Sequence, residues 1–182
     1  MNLLSLLWTY LSGSPAIPSD AAAQQPASLG SSYAWPGPTL GAPIMFLDFD
    51  GVLHPGQSET FEFMPDLYRV LDAIPDLEIV VSSTWRFTET GEGLRRLFDE
   101  RYKDRVRDVC GPELSVQHGR QAEIEAYAYL HGTRRFIAVD DRQDLFRPDC
   151  PWLVLVPRLQ GLSGEHSSRV IAALAVPAMS PS

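Results

Sequence analysis

The sequence predicts an α/β fold: a three-layer, Rossmann-like domain with a parallel sheet of about five strands and helices on both faces. Two observations predict it. Short apolar runs of four or five residues alternate with segments whose apolar residues recur at helical spacing. The chain also has 182 residues, 45% hydrophobic and 21% charged, enough for one buried core without disulfide staples.

The elements follow in order. Ile44-Met45-Phe46-Leu47 is a buried strand. Pro65 to Ile74 places Leu67, Val70, Leu71 and Ile74 on one helical face, with Pro65 suited to the first turn. Glu78 to Val81 is a second buried strand. Glu92 to Tyr102 is a helix with Leu94, Leu97 and Phe98 on one side. Val106 to Val109 is a short third strand. Gly119 to Leu130 is a helix with Ile124, Tyr127 and Ala128 inward. Arg135 to Val139 and Trp152 to Val156 are two more strands, and Ser167 to Ala175 is the closing helix. Residues 11–43, rich in Ser, Pro, Ala, Gly and Gln, carry neither period. The domain is therefore expected over 43–176, between a flexible tail at 1–42 and a short one at 177–182.

The net charge of −8 argues against broad binding to nucleic acid or anionic membrane, which needs a basic face. It leaves anionic substrates open, since a bound cation inverts the local sign. No stretch reaches the roughly 20 apolar residues of a membrane helix. Met1 to Trp8 resembles the start of an export signal, but it lacks a basic segment and its apolar run is broken by Thr9 and Ser12. A cytoplasmic location is expected. Cys110 and Cys150 have no paired metal spacing and read as reduced thiols.

In open parallel sheets the ligand lies beyond the carboxyl ends of the strands, so the polar residues after each apolar run carry the chemistry. The first run ends in Asp48-Phe49-Asp50-Gly51-Val52-Leu53. Strand alternation turns Asp48 and Asp50 to one side, where two carboxylates repel unless a cation or proton lies between them. Gly51 allows a sharp turn. The second run ends in Ser82-Ser83-Thr84-Trp85-Arg86, whose hydroxyls and free N–H groups can hold phosphate oxygens or cap the next segment. Arg120 opens a helix. Val139-Asp140-Asp141 puts paired acids after another strand, a pattern suited to a hard cation as well as to a turn.

In this order, Asp-x-Asp, Ser/Thr, a basic residue and Asp-Asp, the chain resembles the haloacid dehalogenase (HAD) superfamily over about residues 43–160. The wording Asp-Gly-Val-Leu-His-Pro, Ser-Ser-Thr-Trp-Arg and Asp-Asp-Arg is similar to that of a subgroup of small HAD-domain proteins, some of whose relatives are similar to domains linked to RNA repair. The resemblance implies a Mg²⁺-dependent phosphatase with Asp48 as nucleophile, forming an aspartyl-phosphate, and Asp50 as acid and base. It implies phosphate binding by Ser82 or Ser83 and by Arg120. Lysine is commoner at that position, but Lys103 is the only lysine and falls on a polar helix face. It implies metal binding by Asp48, the main-chain carbonyl of Asp50, and Asp140 and Asp141, with either of the last two as the principal ligand.

The spacings leave no room for an inserted cap, so the open site suits either a large phosphorylated substrate or closure borrowed from a partner. His54 to Phe63 reads as a small flap. His54, Trp85, Arg86 and His118 each read as either site or packing residues. The alternatives are a phosphate-binding module without turnover and a nucleic-acid end-processing phosphatase, the latter opposed by the net charge.

Overall fold

The computed structural model describes residues 34–175. Expectations for residues 1–33 and 176–182, including the apolar N-terminus, lie outside the described residues. Five strands form one parallel sheet: β1 (Ile44–Leu47), β2 (Glu78–Val81), β3 (Val106–Val109), β4 (Phe136–Asp140) and β5 (Leu153–Leu155), in spatial order β3-β2-β1-β4-β5. Four helices connect or close it: α1 (Met64–Ala73), α2 (Gly91–Arg96), α3 (Gly119–Leu130) and α4 (Gly164–Ala175).

The continuous apolar run of β1 has a physical cause: both of its faces are covered. Met45 and Leu47 point into one core with Leu67 and Leu71 of α1 and Val170 and Leu174 of α4. Ile44 and Phe46 point into a second core with Ile124 and Tyr127 of α3. The Phe46 ring meets Tyr127 edge-on at 5.5 Å. A parallel sheet buried this way has no solvated strand face and so no polar alternation.

Three boundaries differ from the sequence reading by more than one residue. Helix α2 ends at Arg96 rather than at Tyr102. The Asp99 carboxylate accepts from Arg101 N at 3.0 Å, and the Tyr68 hydroxyl accepts from Asp99 N at 2.8 Å. These local bonds replace the next helical turn. Phe98 and Tyr102 are buried all the same. Helix α4 begins three residues earlier than expected, after Ser163, whose hydroxyl bonds the His166 ring at 2.8 Å. Finally, residues 34–42, read above as tail, dock on the sheet edge. Trp35 packs on the first core, Gly37 exchanges bonds with Arg107, and Thr39 donates through N and Oγ1 to the mostly buried Glu78. Contacts of this kind have no sequence period to reveal them.

No inserted domain interrupts the chain between β1 and β2 or between β2 and α3. The strand order reverses between β1 and β4, and at that point ligands bind open α/β sheets. Leu47 pairs with Val81 on one side and Val139 on the other. That register brings Asp48, Ser82 and Asp140 level at the carboxyl edge.

Candidate active site

Asp48 continues β1 by one residue, and its N–H donates to Val139 O at 3.1 Å. Asp140 closes β4, and its carbonyl accepts from Val156 N at 3.0 Å. The two carboxylates are thus held by sheet backbone rather than by a loop. Asp141 follows directly. One carboxylate oxygen from each of Asp48, Asp140 and Asp141 lies within 4.8 Å of the others. Gly51 makes this approach possible. It has φ +74, and a Cβ there would collide with the Asp141 carboxylate.

Three acids so close together need positive charge. Arg120, in the first turn of α3, supplies part of it. Its Nη1 lies 3.1 Å from Asp140 Oδ2 and 3.7 Å from Asp48 Oδ1, with the guanidinium almost fully buried. Burial opposes its charge, but Asp48, Asp140 and Glu123 outweigh that and hold its pKa above the usual value. Arg158, half exposed, adds a contact of 3.3 Å to Asp141 Oδ2. The balance still falls short. Burial, and then repulsion from Asp48, pushes the Asp140 carboxyl up to about 8. The same two causes push Asp141 upward. An all-oxygen set of this kind, short of positive charge, fits a hard divalent cation rather than a soft one.

The Asp50 carboxylate is not part of that group. Its Oδ1 lies 2.9 Å from His54 Nε2, and its Oδ2 accepts from Trp85 Nε1 at 3.2 Å. Both oxygens of that carboxylate are thus engaged by ring nitrogens. The segment after Asp50 is pinned. Gly51 N donates to Gly56 O at 2.8 Å, and Gly56 N donates to Arg158 O at 3.0 Å.

Ser82 and Ser83 are fully buried and do not line the cleft. Both carbonyls accept from Arg86 Nη1, and Ser83 Oγ accepts from Trp85 N at 3.5 Å, capping the single turn Thr84–Phe87. The hydroxyl-bearing residue on the cleft wall is Thr84. Arg86, read above as a site or packing residue, is a buried clasp at the wall of the adjoining lobe: its Nη2 donates to Glu123 Oε2 at 2.7 Å, and its Nε donates to Gly111 O at 3.2 Å. Glu123 also accepts from Leu114 N at 3.0 Å and lies 3.6 Å from Arg120 Nε. Burial raises the Glu123 pKa. The clasp locks the turn after β2 to α3 and sets where Arg120 points. His118 enters α3 with φ 57, and its side chain is not among those lining the cleft.

Asp48, Asp50 and Asp141 line a cavity of about 220 Å³ together with Thr84, Gln57, Arg142 and Arg158, with Asp140 buried behind it. A second lobe of about 210 Å³, between Thr84 and Leu114-Ser115-Val116, shares Thr84, Glu113, Arg120 and Leu145 with the first. Gln57, Arg142, Arg158, Glu113 and Glu123 escaped the sequence reading. Arg142 and Arg158 follow β4 and β5 closely, so the rule that found Asp140 could have found them. Cys110 is buried, which pushes its thiol up to about 12 and removes it as a nucleophile. Among the described residues no helix is long and apolar enough to cross a membrane.

No curated protein and no solved structure matches the chain. Residues 44–167, more than half of the sequence, match the family described as "HAD domain in Swiss Army Knife RNA repair proteins". That span starts at the first residue of β1 and includes every acid and arginine of the cleft. The chain belongs to this family of HAD domains.

Proposed function

We propose that the protein is a Mg²⁺-dependent phosphomonoesterase that works through an aspartyl-phosphate on Asp48. The observation that carries this reading is the convergence of Asp48, Asp140 and Asp141 within 4.8 Å, with Arg120 reaching between them at the switch point of the sheet. Asp48, Asp140, Asp141 and the Asp50 carbonyl would hold Mg²⁺, which supplies positive charge to offset that of the phosphoryl group.

The chain's own residues do the rest. Arg120 and Thr84 bind phosphoryl oxygens from the cleft wall. Asp48 Oδ attacks phosphorus as the ester P–O bond breaks, and Asp50 gives its proton to the departing oxygen. Asp50, now a carboxylate, takes a proton from water. The water oxygen forms the new bond to phosphorus, the bond to Asp48 breaks, and phosphate leaves. Most of the rate comes from positioning and charge neutralisation, which these fixed groups supply.

The test is hydrolysis of p-nitrophenyl phosphate with Mg²⁺ or EDTA. Asp48→Asn is expected to lower kcat by about 10³-fold or more. Equal rates in variant and wild type would remove the nucleophile.

The family's description favours one substrate, a phosphorylated RNA end. An uncapped cleft and the arginines at 142 and 158 suit a polymer end with a second phosphate nearby. The expected result is release of phosphate from a 5′- or 3′-phosphorylated oligoribonucleotide at a kcat/KM at least tenfold above that for the aryl ester. No release from either end removes RNA from the reading and leaves the phosphatase chemistry in place.

A further inference from the structure

His54 is fully buried, and its Nδ1 finds no hydrogen-bond partner among the described residues. Burying an imidazole with an unpaired nitrogen is destabilising, a cost that an apolar side chain of similar size would avoid. The fold nevertheless takes pains to place it. Leu53 N bonds Phe49 O at 2.8 Å, and a parallel bridge joins Asp50 to His54, so the turn at Gly51 returns the imidazole to the side of Asp50. Among the described residues its one polar contact is with Asp50 Oδ1. Trp85 arrives from a different element, the turn after β2, and donates to the other oxygen, Oδ2.

Both groups are held by packing. The Trp85 ring lies 5.7 Å from Phe49 and 5.5 Å from Phe61, and the His54 ring lies 4.8 Å from Phe61. Phe49 is fully buried. Rings wedged this way have little rotamer freedom, so the two nitrogens are fixed points. A carboxylate bonded at both oxygens to fixed nitrogens has one orientation. That orientation keeps Asp50 out of the acid group formed by Asp48, Asp140 and Asp141 while leaving it on the wall of the same cavity.

We infer that His54 and Trp85 are positioning residues, a two-point clamp that aims Asp50 at the leaving-group oxygen of the substrate. The inference rests on the phosphatase reading and adds to it the residues that make one carboxylate an acid rather than a metal ligand. Neither residue is among those lining the cavity. Their effect must therefore grow with the need for a proton on the leaving group. An alkyl phosphate ester, whose alkoxide leaves badly, needs that proton. A p-nitrophenyl ester scarcely does.

The experiment compares a simple alkyl phosphate with p-nitrophenyl phosphate for wild type, Trp85→Phe, His54→Leu and His54→Gln. Trp85→Phe keeps the ring and removes one N–H. His54→Gln keeps an amide that can reach Asp50. For Trp85→Phe and His54→Leu, kcat on the alkyl ester is expected to fall about 10- to 100-fold, a part of what general acid catalysis contributes. On the aryl ester the loss is expected to stay within a few-fold. KM and the Mg²⁺ concentration for half-maximal rate should move less than about twofold, since the clamp bears on the chemical step alone. His54→Gln should recover part of the alkyl-ester rate lost in His54→Leu. Equal losses on the two esters, or none, would overturn the clamp while wild-type turnover leaves the phosphatase reading intact. Wild-type turnover of neither ester sinks that reading and the clamp with it.

Discussion

Single residues carry steep consequences in this cleft. Gly51 is the clearest case, because its φ of +74 and the Asp141 carboxylate over its α-carbon leave no room for a side chain. Gly51→Ala is expected to cost about 1–3 kcal/mol of stability through backbone strain and displacement of Asp141. It should also weaken Mg²⁺ binding measured by calorimetry at least tenfold. Unchanged affinity would mean that Asp141 is not a ligand. That Asp48, Asp50, Arg120, Asp140 and Asp141 lie at one edge was legible from sequence because each follows an apolar strand or opens a helix, positions that strand geometry ties to one edge. The choice among Ser82, Ser83 and Thr84 was not legible. All three carry hydroxyls, and which one faces the cleft depends on the turn at Thr84–Phe87, set in turn by Arg86 contacts made far along the chain. His54 and Trp85 looked equally suited to packing or chemistry, and only their common bond to Asp50 separates the two.

At the scale of elements, the cleft depends on how the turn after β2 is tied to α3. That tie is ionic and buried. Arg86 meets Glu123 at 2.7 Å, with both side chains almost fully enclosed. Removing one partner leaves the other charge buried and unpaired, which typically costs about 3–5 kcal/mol. Glu123→Ala is therefore expected to lower the unfolding free energy by about that amount in urea denaturation and to loosen Arg120, raising KM for phosphate esters. A loss below about 1 kcal/mol would show that the clasp is dispensable. The strands and the long helices could be read from period alone, since burial on both sheet faces dictates apolar runs and helix faces must match them. The end of α2 could not, because Asp99 stops it with local bonds that no apolar pattern reports. The docking of residues 34–42 escaped for a related reason: one tryptophan, one threonine and a glycine carbonyl hold it, too sparse to form a pattern.

For the molecule as a whole, the concentration of acids at one sheet edge links stability to pH and to metal. Asp140 holds its proton up to about 8 in the folded chain, against an ordinary value of 3.8. Between those values the native state binds a proton that the unfolded chain has lost, so stability must fall as pH rises, with a limiting slope of about 1.4 kcal/mol per pH unit. EDTA-treated protein is expected to melt several degrees lower at pH 8 than at pH 6. Millimolar Mg²⁺ should raise the melting temperature more at pH 8, where its ligands are ionised more readily. A melting temperature that climbs over that interval in EDTA would contradict the buried, proton-holding acid. The net charge of −8 hid the local chemistry, because a global sum says nothing about the arginines gathered at one edge. Chemical trapping would reveal an aspartyl-phosphate on Asp48 itself. A reaction with an aryl phosphate and Mg²⁺ is quenched in acid, treated with borohydride, and mapped by peptide mass spectrometry. The expected product is Asp48 reduced to homoserine, dependent on both substrate and Mg²⁺. Steady turnover with Asp48 unmodified, or the label on another carboxylate, would contradict it.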